Sequence, residues 1–207
     1  MSNSLAGKDA LVLGGGAVGD ALAKGFAALG AKVARSVAET SGSANLVVIP
    51  VVDPGGLKPQ ALADMDEAEW IRRCEAPLGA VRTALQEAHA VLNAKGGSIF
   101  LLVPTISLVG QADFVPFATV GEGTRSLAKA AARGWGAAGI TVNCLALTQE
   151  QLAPGAEGKV TETRVPPALK TPDLEHDVAA FIAAMANGPQ IATGTTIMVD
   201  GGNQMSV

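Results

Sequence analysis

The chain has 207 residues, 48% of them hydrophobic and 16% charged, with a formal net charge of −4. Length and composition favour one well-cored domain over 1–207. They exclude a disordered chain and a nucleic-acid binder, which needs a basic surplus. There is also no tyrosine, so no mechanism that needs a tyrosine proton runs on this chain alone.

Asp9–Leu13 is a short apolar run, read as a first strand, that stops at Gly14-Gly-Gly-Ala-Val-Gly19. A helical pattern follows, with Leu22, Phe26 and Leu29 on one face and Gly30 as its C-cap. Lys32–Arg35 reads as a second strand and Leu46–Ile49 as a third. Only a short polar connection joins them, with no room for another helix and strand. After a Pro/Gly loop to Gly56 come two helical stretches, Glu67–Ala76 and Leu78–Leu92, with Pro77 starting or kinking a helix at their junction. Ser98–Val103 is a buried strand, Gly121–Ala138 an Ala-rich helix and Ile140–Leu145 a further strand. Gln149–Pro172 reads as a long loop, Asp173–Asn187 as a helix and Thr195–Val199 as the last strand. Such alternation predicts right-handed crossovers and an α/β, Rossmann-like doubly wound parallel sheet.

No apolar run approaches the roughly 20 residues needed to span a bilayer, and Met1–Lys8 holds none of signal-peptide length. Cys74, Cys144, His89 and His176 lie far apart, without metal-ligand spacing. The expectation is a metal-free protein of the reducing cytoplasm, without membrane or nucleic-acid partners.

Gly14-x-Gly16-x-x-Gly19 sits between a strand and a helix, the context in which this pattern cradles a dinucleotide. The first glycine permits the turn, the second lets the backbone approach a diphosphate, and the third lets helix and strand pack closely. The alternative is a glycine-rich turn with no ligand. An NAD site wants an acidic residue at the end of the second strand. Here Arg35 stands there, able to accommodate a 2′-phosphate or simply to be a solvated charge.

Further segments resemble the short-chain dehydrogenase/reductase family over nearly the whole chain. Gly97-Ser-Ile99 with Ser107-Leu-Val-Gly110 resembles the strand and loop of its catalytic serine. Ala132–Asn143 resembles the end of its active-site helix and its sixth strand. Asp177–Ala180 and Thr193–Gly202 resemble its C-terminal signature, and Trp70 with Leu78 the helix that carries its asparagine. The resemblance implies a sheet shortened by loss of the strand and helices after the second strand. It also implies an Asn-Ser-Tyr-Lys tetrad, whose positions fall at Pro77, Pro104, Phe117 and Gly121. None of these replacements carries an ionisable group or a hydroxyl. The tyrosine passes the proton and the lysine lowers its pKa, so the catalytic set is empty. Thr105 or Ser107 replaces the serine only if the loop slips. Lys129, twelve residues beyond Phe117, would sit about 18 Å along the helix and cannot serve the same atom.

The resemblance also implies eroded cofactor binding. The adenine pocket lacks its outer strand, and the family's Asn-Asn-Ala-Gly turn is Ile49-Pro-Val-Val52. Gly14, Gly16, Gly19 and Arg35 remain as vestigial cofactor residues. The chain then reads as a non-catalytic subunit of a heteromeric dehydrogenase, similar to the degenerate chain of 2-(hydroxyphenylmethyl)succinyl-CoA dehydrogenase. An intact family homologue, in a heterodimer or heterotetramer, would bind the NAD(P). The expected interfaces are Leu78–Leu92 with Gly121–Ala138, including a small-residue face of Gly123, Leu127, Ala130 and Ala131, and Asp173–Val199. Two alternatives stay open. One is a regulatory protein that senses a dinucleotide without turnover. The other is unrelated chemistry on Asp53, Asp113 or Glu122.

Overall fold

The computed structural model describes residues 3–51, 57–92, 95–153 and 166–205. Six parallel strands form one sheet in the order β2-β1-β3-β4-β5-β6. They are β1 (Asp9–Val12), β2 (Lys32–Ala34), β3 (Leu46–Pro50), β4 (Gly97–Pro104), β5 (Ile140–Leu147) and β6 (Thr196–Met198). Between β2 and β3 lies only a short 3₁₀ turn, Val37–Glu39, so β2 is the sheet's edge. The Rossmann-like sheet is therefore shortened where the sequence has no room for another strand.

The apolar runs of the strands are continuous because both sheet faces are covered. In β3, Leu46 and Val48 point into one core and Val47 and Ile49 into the other. The first core packs under α1 (Gly16–Ala28) and the last helix, here numbered α6 (Ala179–Asn187). The second packs under α3 (Ala76–Leu92) and α4 (Val115–Trp135). Gly30, with φ +94°, follows the end of α1, the left-handed position that suits glycine.

Several elements differ from their sequence outlines. A single π turn, Ile71–Glu75, joins the short α2 (Glu67–Trp70) to α3. Pro77 lacks an N–H and its ring would crowd the carbonyl four residues back, so a widened turn just before it relieves both problems. The helix α4 begins at Val115, six residues earlier than expected, with Pro116 in its first turn, where a missing N–H costs nothing. The segment after β5 opens with a helical turn, α5 (Gln149–Leu152), fixed by a capping box between Thr148 and Gln151. Another π turn, Leu174–Val178, leads into α6.

The expected right-handedness fails at one crossover. The connections β3→β4 and β4→β5 advance along the sheet with α3 and α4 on one face, whereas β5→β6 advances the same way with α6 on the α1 face. That crossover has the opposite hand. Its berth is a close approach at Gly25 of α1, where a built Cβ would lie 2.1 Å from the Glu175 carbonyl oxygen and 2.6 Å from the Ala179 Cβ.

Candidate functional site

The strand order reverses between β1 and β3, and the crevice outside their carboxyl ends is where open α/β sheets receive ligands. The glycine turn stands at its edge. Gly14 has φ +124° and Gly16 φ +77°, conformations that side chains disfavour. A Cβ built on Gly15 or Gly16 meets nothing within 4 Å, so the N-terminus of α1 opens into free space.

Arg35 is folded back onto this turn. Its Nη2 donates to the Gly14 carbonyl at 2.8 Å and its Nη1 to Asp20 at 3.0 Å. A Cβ on Gly19 would lie 2.7 Å from both the Arg35 Nη2 and the Gly14 carbonyl oxygen. The third glycine is thus the floor on which the guanidinium rests. The buried Arg35 Nε has no hydrogen-bond partner. Asp20 carries no family signal; its place immediately after Gly19, facing the end of β2, is the one hint that sequence offered.

Across the crevice, Pro50 ends β3 and Pro77 stands in the first turn of α3, both without an N–H. Pro104 closes β4. A 3₁₀ turn, Thr105–Leu108, follows, and buried Ser107 donates its hydroxyl to the Pro104 carbonyl at 2.8 Å. A Cβ on Gly121 would lie 2.6 Å from the Ser107 Cβ, 2.8 Å from its Oγ and 3.1 Å from the Pro104 Cδ. The volume that a side chain at 121 would need is filled. Phe117, 3% exposed, packs in the core under α1 and α6 together with Phe114. Thr105 is fully buried, so neither hydroxyl of this loop is presented to a substrate. Lys129 is exposed, more than three turns beyond Phe117 along α4.

The carboxylates of the unrelated-chemistry alternative are not gathered. Asp53 lies outside the described residues. Asp113 is exposed in the turn before α4 at φ +68°, with its carbonyl accepting from the Gln60 N–H at 2.9 Å. Glu122 receives both its bonds from Arg125, at 2.6 and 2.7 Å. Among the described residues no group of three or more His, Cys, Asp or Glu is arranged to hold a metal ion, and no helix is long and apolar enough to cross a membrane.

The small-residue face of α4 proves mostly internal. Gly123 makes room for Leu78, whose Cδ2 would be 2.6 Å from a Cβ there. Ala131 is 8% exposed in the core under α3 and α4, and Leu127 packs against that core. Only Ala130 is exposed. The C-terminal signature is held by hydrogen bonds. Asn143 of β5 donates from Nδ2 to the Ala192 carbonyl and accepts from the Thr195 N–H, and the Val142 N–H donates to Thr193 Oγ1. Asp200 accepts from the Gly202 and Gln204 N–H groups, closing the final turn. Buried Cys144 has its thiol pushed up to about 12 by desolvation, which makes it inert.

The folded chain is similar to an enoyl-(acyl-carrier-protein) reductase from Anaplasma phagocytophilum solved with NAD, at 17% identity and TM-score 0.76, covering 98% of this chain and 97% of that one. It is similar to a gluconate 5-dehydrogenase from Burkholderia cenocepacia J2315 solved with NADP and tartrate, at 20% identity and TM-score 0.73, covering 100% and 98%. A short-chain dehydrogenase/reductase from Serratia marcescens BCRC 10948 aligns at 23% identity and TM-score 0.70, covering 97% and 99%. No curated protein sequence matches the chain. A family model described as enoyl-(acyl carrier protein) reductase matches residues 47–204, most of the chain, which therefore belongs to the short-chain dehydrogenase/reductase superfamily.

Proposed function

We propose that this chain is a non-catalytic subunit that supports the assembly and activity of an intact short-chain dehydrogenase/reductase partner in the cytoplasm. The observation that carries the reading is the packing at the four tetrad positions. Pro77 and Pro104 offer no donor, Phe117 is core, and the space at Gly121 is taken by Ser107 and Pro104. A proton relay needs an ionisable group within hydrogen-bond reach of the substrate oxygen, and these positions supply none. The dinucleotide fits only by half. The glycine turn suits a diphosphate, but β2 is an edge strand, and Pro50 and Pro77 flank the crevice without donors. The partner binds the NAD(P) and acts on a hydroxyacyl-CoA or alcohol substrate.

Two surfaces are offered to that partner. One is the groove between α3 and α4, about 460 Å³, lined by Leu78, Ala118, Thr119, Glu122, Gly123 and Ser126. The other is the edge of β6 with α6, where Phe181 is 37% exposed and Ile191, just before the strand, is 90% exposed. The test is to co-express the chain with an intact homologue encoded beside it and measure mass and dehydrogenase activity. A stable complex whose activity falls when this chain is omitted is expected. A fully active partner alone, with this chain eluting separately, overturns the reading.

A second reading, dinucleotide sensing without turnover, is favoured by the open N-terminus of α1 and by Arg35 beside it. Calorimetry of the isolated chain with NADP+ tests it: binding that Arg35→Ala abolishes would favour the sensor.

A further inference from the structure

Beside the glycine turn lies a cleft of about 630 Å³, within the usual size range of small-molecule sites. Its floor is the sheet face at the ends of β1 and β3, with Leu13, Ile49 and Val51 all at most 8% exposed. Its wall is α3, which turns Ala76, Ala80 and Ala84 toward it over buried Val81. The cleft exists because no helix follows β2. The 3₁₀ turn at Val37–Glu39 covers only the edge of this sheet face, whereas α3 and α4 cover the rest.

Two features define the ligand class. First, the lining is aliphatic, and Pro50 and Pro77 give the mouth no backbone donors, so a polar heterocycle finds little to bond. Second, the ends of the cleft carry opposite charge. Arg72 lies at the end nearest the start of α3 and Glu87 at the other, about 20 Å apart at helical rise. Arg72 is 59% exposed and bonds Glu69 at 2.9 and 3.0 Å, an exposed pair of the kind that yields readily to another carboxylate. We infer that the cleft binds a medium-chain aliphatic carboxylate, with its head group at Arg72 and its tail over the aliphatic floor. Glu87 repels the opposite orientation. The isolated chain is sufficient for this binding, which does not depend on the partner-subunit reading.

Titration calorimetry of the full chain with decanoate, kept below its micelle concentration, tests the inference. One saturable site is expected, with a Kd on the order of 10–100 µM for a ligand of this size. Ala80→Trp replaces an exposed helix residue and fills the cleft; it should abolish binding while circular dichroism stays unchanged. Arg72→Gln should weaken decanoate by about tenfold and leave decan-1-ol unaffected, as expected for loss of one charged hydrogen bond. NAD+ and NADP+ at millimolar concentration should not displace the ligand. Absence of saturation at millimolar decanoate overturns the assignment, as does equal affinity in a folded Ala80→Trp protein. Displacement by either dinucleotide assigns the crevice to the nucleotide and also overturns it.

Discussion

The far edge of the sheet and the mouth between β4 and α4 are held together by different means. At the edge, Asn143, Thr193 and Asp200 each hold a backbone group that would otherwise go unpaired. At the mouth, Pro104, Phe117 and Gly121 are packed by Ser107 and by the core under α1 and α6. The C-terminal segment is thus held by side-chain bonds to its own backbone. At the mouth, by contrast, packing alone occupies the positions to which the family resemblance assigns a tetrad.

The sharpest way to break this comparison is to place a tyrosine and a lysine on α4 at the mouth. Phe117→Tyr with Gly121→Lys should yield no NAD(P)-dependent turnover and should destabilise the fold. The new Cβ meets Ser107 at 2.6 Å, and an uncompensated ammonium follows it into a buried place. Together these should cost about 4 kcal/mol. Urea titration and nicotinamide absorbance check both parts. A stable, active double variant would show that the mouth is still a site.

A second contrast separates core from surface on α4. Ala131→Glu buries a charge in the chain's own core and should cost about 3 kcal/mol in the isolated protein. Ala130→Glu, one residue earlier and exposed, should change stability by less than about 0.5 kcal/mol. Only the latter probes an interface cleanly: loss of partner binding in Ala130→Glu with unchanged melting would place a contact there. At the edge, Asn143→Ala should cost about 2 kcal/mol, because the Ala192 carbonyl and Thr195 N–H lose their partner in a part-buried place. A cost near zero would mean that the signature is not structural.

The strand-helix alternation was legible because strands covered on both faces are unbroken apolar runs, as in Ile99–Val103. The loss of the outer strand was legible too, since eleven residues between Ala34 and Leu46 cannot hold a helix and a strand. The reversed last crossover was not. Its hand is set by the face on which α6 docks, and that depends on a contact between Gly25 and Ala179, 154 residues apart in sequence. The start of α4 had a local signal in Pro116, a residue that suits a first turn, but the Ala-rich composition that marks the helix begins only beyond Gly121. The positions to which the resemblance assigns the tetrad were legible by number alone. What fills them was not, because Ser107 reaches Gly121 through a 3₁₀ turn that residue types alone do not specify. Arg35 was visible as a charge, whereas its fold back onto Gly14 depends on Asp20 being one helical position beyond the glycine turn.

The smallest expected effect is a pH dependence at the head of α6. Asp173 accepts from the His176 N–H and meets its Nδ1 at 2.9 Å. The bond from the His176 backbone holds the Asp173 carboxyl below its ordinary range, and the side-chain bond to Asp173 raises His176 above its own. Because the folded His176 binds its proton more tightly than the unfolded one, its contribution is full below about pH 6.5 and is lost as pH rises through the raised value. Because the folded Asp173 binds its proton less tightly, its contribution is present above about pH 3.8 and is lost as pH falls through the lowered value. The pair therefore contributes most between these limits, and fading on the alkaline side follows His176 alone. Both side chains are mostly exposed, 79% and 53%, so water and salt screen the attraction and the effect on melting is slight. The direct reading is a proton NMR titration of the imidazole. Asp173→Asn should bring the His176 midpoint down toward its ordinary value, and added salt should narrow the difference between the two proteins. An unchanged midpoint would mean that His176 is held by nothing but solvent.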